Sequence, residues 1–412
     1  MSPMPLTPEQ IAKIRRKEAM MPEALKRNPL NDYTEGWFHV TLNTRGEAPV
    51  LGYVAGDPDA DDGSPNAPRC VLTELGKRVE ACWNRNPSFY SGIENIEFQV
   101  MPEHVHGLVH LKAGNKKHLG EIVRGFMIGC THAYWDTLGI PWREMKYEKG
   151  VRTPQYNDRD HSRSYRGPAL MVRGYNDVEA IGEDEIATKC QYIRNNPRHR
   201  LIARSKPDRF RVVRNRQSMH WTLERALAAV AADPWIGGSS ERCRTVQALV
   251  AQRLKRHPDN GAALVLDYVG NRALLAAEHK VSLICHRADV GLFERQRAAV
   301  MLAARSGAVV VGAFISPRER EIMKLLMQEQ LPFIELMDNG FGPRYKPGGR
   351  AFYSTAENRH VQLTCWTYEY VDGNRSRPNL TRERCLVMNE LARLVSGVGD
   401  DWWKAVAPFP LP

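Results

Sequence analysis

Apolar and polar positions recur along this chain with two periods, one near 2 and one near 3.6, the signatures of half-buried strands and amphipathic helices. Residues 37–42 alternate as a first strand, and residues 73–83 carry helical spacing. Residues 96–111 read as one buried strand. A good amphipathic helix follows at 119–135, then a short strand at 170–175. A last helix at 183–195 is stopped by Pro197. The stretch 57–68 (DPDADDGSPNAP) is acidic and rich in breakers, hence a loop, and 150–168 is polar and irregular. The order β-α-β-α-β-α predicts a sheet with helices on one side.

From about 220 to 260 the chain turns Ala-rich and helical, and beyond that it changes character. Continuous apolar strands are expected at 281–285, 308–315, 332–337 and 361–366, joined by helices at 292–305, 317–330 and 382–395. That pattern predicts a parallel α/β sheet. The expected organisation is a basic N-terminal arm (1–30), an α+β domain (31–220), a helical connector (221–255) and a parallel α/β domain (256–412), with the boundary near residue 255.

At 412 residues two domains are the default. The 58 Lys and Arg against 47 Asp and Glu leave a net charge of +11, which suggests a polyanionic partner. Eight cysteines without a CxxC pair read as reduced thiols. No secretory signal is recognisable, and the longest apolar run, 308–315, is too short for a bilayer, so no membrane partner is expected and the location is expected to be cytoplasmic, with the nucleoid. The charge is concentrated: between Lys189 and Arg216, ten basic side chains face one acid, Asp208. Arginine forks suit phosphate oxygens, so this segment reads as a nucleic-acid track.

Candidate chemistry begins with Glu103-His104-Val105-His106-Gly107. In a strand His104 and His106 point to one side and can converge on a metal, although from spacing alone a structural or solvated pair is the commoner outcome. The second element is Cys190-Gln191-Tyr192-Ile193-Arg194-Asn195-Asn196-Pro197. On a helix Tyr192 and Asn196 share a face. An Asn oxygen can complete a site begun by two histidines, and a phenol beside it can act as nucleophile on a phosphodiester. The bland alternative is a packed tyrosine and an ordinary helix end.

Four ordered blocks resemble a known family. Trp37-Phe38-His39-Val40-Thr41 is similar to the opening strand of single-tyrosine HUH transposases. Leu72-Thr73-Glu74-Leu75-Gly76 with Phe98-Gln99-Val100-Met101-Pro102-Glu103-His104-Val105-His106-Gly107, then Leu119-Gly120-Glu121-Ile122-Val123-Arg124-Gly125-Phe126, then Tyr192-Ile193-Arg194-Asn195-Asn196-Pro197, resemble the REP-associated tyrosine transposases. Glu103 stands where that family usually has Asn. The resemblance implies a ferredoxin-like fold for the first domain, and metal ligation of Mg²⁺ or Mn²⁺ by His104, His106 and Asn196. It also implies Tyr192 as nucleophile, with cleavage of single-stranded DNA near a hairpin through a 5′-phosphotyrosine. Lys189, Arg194, Arg198, Arg200, Arg204 and Arg124 are the candidate DNA-binding side chains. A homodimer is compatible with this reading. His39 is expected to be structural. Two rivals stand beside it: a domesticated binder of structured DNA or RNA that does not cut, and an HUH replication initiator or relaxase, which often carries two tyrosines where this chain has Tyr192 alone.

In the second half, Ser316-Pro317-Arg318-Glu319 after an apolar strand is a capping box, and a helix N-terminus at a strand end is where α/β sheets bind phosphates. Ser316, Gly340 and Gly342 form a candidate phosphate or nucleotide rim. The domain weakly resembles the Rossmann-like modules of DNA-processing and nucleotide-sensing (SLOG-type) proteins, its ligand unknown, with packing or dimerisation as the alternative role.

Overall fold

The computed structural model describes residues 31–142, 168–217, 221–343, 345–369 and 380–406. The expected basic arm and nearly all of the 150–168 insert lie outside these residues. The chain divides into two compact units, Met1–Ile202 and Ala203–Pro412.

The first unit is built on a four-stranded antiparallel sheet. β1 (Gly36–Asn43) pairs on one side with β5 (His104–Leu111), which pairs with β4 (Ile93–Val100), and on the other with β6 (Asn176–Ala180). A β2–β3 hairpin (Gly52–Ala55, Arg69–Leu72) carries the acidic loop at its tip. Period-two alternation gives the sheet two unlike faces. Phe38, Val40 and Leu42 with Val105, Val109 and Leu111 form the apolar face. They share one core with Leu75, Val79 and Trp83 of α1 (Glu74–Asn84) and Ile122, Val123 and Phe126 of α2 (Leu119–Thr137). The opposite face holds His39, Thr41, His104 and His106, and over it lies α3 (Glu183–Arg194).

Three expectations change here. Residues 96–111 are not one strand but two, because Met101, Pro102 and Glu103 turn the chain back and the Met101 amide donates to the His104 carbonyl (2.8 Å). Proline cannot serve a ladder at that point. The expected strand at 170–175 contributes a single bridge, Met171 to Thr44, and the paired strand begins at Asn176. Helices cover both faces of the sheet rather than one. A further helix, α4 (Asn196–Ser205), starts directly after α3.

The second unit has a six-stranded mixed sheet. β11 (Lys280–Leu283), β12 (Val309–Gly312), β13 (Phe333–Leu336) and β14 (His360–Thr364) are parallel. β10 (Leu266–Gly270) joins β14 antiparallel, and β7 (Val213–Gln217) joins β10. A short β8–β9 hairpin (Arg256–His257, Asn260–Leu264) precedes β10. The parallel strands read as unbroken apolar runs because both faces are buried. Val309 and Val311 face one core with Val387, Met388 and Leu391 of α10 (Arg382–Ser396). Val310 and Phe333 face another with Val300 of α7 (Phe293–Arg305) and Ile322 of α8 (Pro317–Gln328). α9 (Gly349–Ala356) precedes β14. The sheet is thus mixed where the sequence predicts a parallel one. The helices α5 (Leu223–Ala231) and α6 (Ser240–Arg253), expected as a connector, supply Ala226, Val230 and Val250 to this unit's own core. The division falls at residue 202 and not near 255, since β7 is an edge strand of the second sheet.

Candidate active site

The polar face of the first sheet brings one tyrosine and four histidines together. His106 is 5% exposed, and its Nδ1 lies 3.0 Å from Thr41 Oγ1, its cross-strand partner, and 3.1 Å from His39 Nε2. His104 is half-buried, with Nδ1 3.1 Å from Glu103 Oε1. The Tyr192 ring stands edge-on to both His106 (5.5 Å between centroids) and His39 (5.8 Å), with the His199 ring 6.1 Å away. Tyr192 remains 40% exposed beside a buried imidazole floor.

Local structure explains why Tyr192 is presented there. α3 begins after Gly182 (φ 83°) with Glu183, Asp184 and Glu185 in its first turn, where acidic side chains oppose the helix dipole. It ends at Arg194, and α4 opens at Asn196 followed by Pro197, an allowed place for proline. Tyr192 and Asn196 therefore do not share one continuous helix. They flank a break, and Asn196 stays beside Tyr192 because its Nδ2 donates to the Tyr192 carbonyl (3.0 Å).

Burial sets the protonation states. It pushes His39 down to about 4, helped by the charge of Lys189, and holds His106 well below the ordinary imidazole value, with His104 and His39 adding to the effect. His199 is likewise lowered to about 4 by burial and by Arg198. Buried imidazoles here are neutral at pH 7, the form that binds metals and accepts protons. Burial raises the Tyr192 phenol, with Asn196 opposing, so it needs help to ionise. For Glu103 burial works against ionisation, but hydrogen bonds from His104 and Arg200 and their charges outweigh it and bring the carboxyl to about 2.

The donor types are ones a divalent cation accepts. His104 and His106 make these hydrogen bonds through Nδ1, so Nε2 of each stands outside them. Asn196 spends Nδ2 on its own helix break, leaving Oδ1. Two imidazole nitrogens and one amide oxygen suit a site with open positions for substrate oxygens. Among the described residues no cluster of three or more His, Cys, Asp or Glu side chains is arranged as a metal cage.

The expected DNA-binding arginines divide into two groups. Arg198 donates to the carbonyls of Pro58 and Ala60 (Nη2 to Ala60, 2.7 Å) and pairs with Asp62 (2.7 Å), so the acidic loop ties down the start of α4. Arg200 pairs with Glu103, and Arg194 with Glu97 at 2.5 Å. Lys189 is partly buried, and burial lowers its ammonium below the ordinary value. Arg124 on α2 and Arg204 near the end of α4 are exposed. Thr41 and His199 are site neighbours missed in the sequence. Thr41 was findable, since it shares the period-two face of His39.

In the second unit the expected rim is engaged internally. Glu319 accepts from the amides of Cys285 (3.0 Å), Ile315 (2.7 Å) and Ser316 (3.0 Å), and Ser316 Oγ accepts from the Glu319 amide, a complete capping box. Gly340 is packed so closely on residues 366–368 that a Cβ would sit 2.3 Å from the Tyr368 nitrogen, and the Gly342 carbonyl accepts from Arg214.

No protein-family model matches the chain. An uncharacterized protein of Haemophilus influenzae is 23% identical over 144 residues, 30% of this chain and 74% of that protein. Among solved structures, a REP-associated tyrosine transposase bound to a REP hairpin is 14% identical, covering 42% of this chain and 73% of its own, with a TM-score of 0.25. A Deinococcus radiodurans protein assigned as a transposase is 17% identical, covering 42% and 97%, with a TM-score of 0.20. No described helix is long and apolar enough to cross a membrane.

Proposed function

We propose that this chain is a single-tyrosine enzyme of the HUH type that cuts and rejoins single-stranded DNA near a hairpin, with a ferredoxin-like first unit and a Rossmann-like accessory second unit. The observation that carries this reading is the Tyr192 ring set 5.5 Å from His106, a juxtaposition of a helix and a strand far apart in sequence. The motif blocks around both residues point the same way.

In this reading the Tyr192 oxygen attacks the scissile phosphorus. The bond to the 3′ oxygen breaks, the 5′ phosphate stays on the tyrosine, and the 3′ oxygen takes a proton and leaves as hydroxyl. Rejoining reverses the step. His104, His106 and Asn196 would hold Mg²⁺ or Mn²⁺, which when bound would polarise a phosphate oxygen. The phenol proton is lost to water, and the neutral rings of His39 and His199 lie beside the phenol at 5.8 and 6.1 Å between centroids. Exposed Arg124 and Arg204 are left to bind backbone phosphates.

The test is a denaturation-resistant protein–DNA band formed from a diverse pool of single-stranded hairpins with Mg²⁺ or Mn²⁺. Tyr192→Phe is expected to abolish the band while largely sparing DNA binding, and His104→Ala or His106→Ala to remove metal dependence and cleavage together. A Tyr192→Phe protein that still forms the adduct removes Tyr192 from this role. Absence of any band from the parent chain favours a binder that does not cut.

A further inference from the structure

Glu103 sits in the tight turn between β4 and β5, one residue before His104. Its backbone is fixed independently of its side chain, because its carbonyl accepts from the Thr44 amide (2.8 Å) and hydroxyl (3.0 Å). The carboxylate is used unevenly. Oε1 meets both His104 Nδ1 (3.1 Å) and the Arg200 guanidinium, while Oε2 is buried with no hydrogen-bond partner. Arg200 Nε is likewise buried and unpartnered. A buried polar atom left without a partner is costly, so this geometry is not the one that best satisfies a simple ion pair. What it does achieve is to aim one charged oxygen at one imidazole nitrogen.

We propose that Glu103 is the positioning residue of His104. Its Oε1 accepts a hydrogen bond from Nδ1–H, which fixes the ring in the tautomer whose Nε2 holds the free lone pair, and Arg200, reaching from α4, holds the carboxylate in that pose. His106 has its equivalent in Thr41 and His39, so each histidine is oriented through Nδ1 by a different device. An imidazole's tautomer is set by the bond its other nitrogen makes, and a carboxylate behind a ligating histidine typically contributes about 10- to 100-fold in metal affinity. The same contact spans from the histidine turn to α4, the helix that begins with Asn196, so it also registers the nucleophile segment against the imidazoles. The metal part of this inference rests on the reading of His104 as a ligand; the tautomer part does not.

The experiment uses the full chain with Glu103→Gln and Glu103→Ala, read in two ways. Long-range ¹H–¹⁵N spectra of the metal-free protein report which nitrogen of His104 is protonated, and calorimetric titration reports Mn²⁺ affinity. The parent is expected to carry the proton on Nδ1. Glu103→Gln, which keeps an acceptor, retains that tautomer with weakened Mn²⁺ binding, and Glu103→Ala loses the tautomer and about 10- to 100-fold in affinity. A His104 protonated on Nε2 in the parent overturns the proposal, as does Glu103→Ala binding Mn²⁺ like the parent. A parent with the Nδ1 tautomer, lost in Glu103→Ala, but without Mn²⁺ binding supports the positioning role and overturns the metal reading instead.

Discussion

The neutral histidines make stability depend on pH with a definite sign. His39 has its folded value near 4 against about 6.5 when unfolded, and His106 is lowered in the same direction. Between those values the unfolded chain takes up protons that the folded one refuses, so stability is complete above about pH 6.5 and is lost as pH falls toward 4. For His39 alone the loss is of order 2 kcal/mol by pH 5. Glu103 acts lower, its contribution present above about 4.5 and lost as pH falls toward 2. Melting temperature followed from pH 7 to 5 should therefore drop, and His39→Gln should flatten that slope; an equal slope in the variant would show that His39 does not titrate as the structure places it. The arginines split in a comparable way. Arg124→Ala and Arg204→Ala should weaken single-stranded DNA binding and each lower the salt-dependence slope by about 1. Arg200→Ala, which removes a partner of Glu103, should reduce strand cleavage while leaving that slope unchanged. Salt titration of binding by anisotropy separates the two kinds.

The element that sets the site is the β4–β5 hairpin, and its position depends on Gly107. A Cβ at Gly107 would lie 2.3 Å from the Trp83 ring, which itself stacks on Phe98 (4.7 Å) and meets Phe126 edge-on (5.2 Å). Gly107→Ala must displace α1 or tilt the strand that carries His104 and His106. It should cost about 1–3 kcal/mol in urea unfolding, the usual range for overpacking, and weaken Mn²⁺ binding with it. Period and spacing made most elements legible: β1, α1, α2, α3 and the parallel strands all fall within a few residues of their apolar patterns. The turn at Met101-Pro102-Glu103 was not legible as a turn, since it holds no Gly, Asn or Asp and both flanks are apolar; Pro102 was the one available signal. β7 and β10 were hidden for another reason. Val213–Gln217 lies inside an arginine run whose charge dominates its pattern, and pairing with β10 is a tertiary decision. The candidate site was legible as a set of residue types, whereas the roles of Thr41, His199 and Glu103 depend on cross-strand register and on the break between α3 and α4, which no local pattern encodes.

At the scale of the whole molecule, each unit has its own hydrophobic core. One joins residues between Tyr33 and Met171, and two others join residues between Trp221 and Val395. Destabilisation should accordingly be local to a unit. The second unit offers a sharp place to test this. Asp267 on β10 is 1% exposed and holds Lys255 Nζ through both oxygens at 2.6 Å, the Asn215 amide at 2.9 Å and Arg214 at 3.3 Å. Asn215 adopts a left-handed φ of 54°, an uncommon conformation that this amide contact helps to hold. Removing one partner of such a buried pair leaves the other charge uncompensated, at a cost of about 3–5 kcal/mol. In a unit of this size each kcal/mol moves the midpoint by about 2–4 °C. Asp267→Ala should therefore lower one calorimetric transition by roughly 6–20 °C and leave the other in place. Gly107→Ala should move the transition that Asp267→Ala spares. Adduct formation by Asp267→Ala at a temperature below both transitions should match the parent, because Tyr192, His104 and His106 belong to the other unit. A variant in which both transitions shift together would show that the two units unfold as one cooperative body.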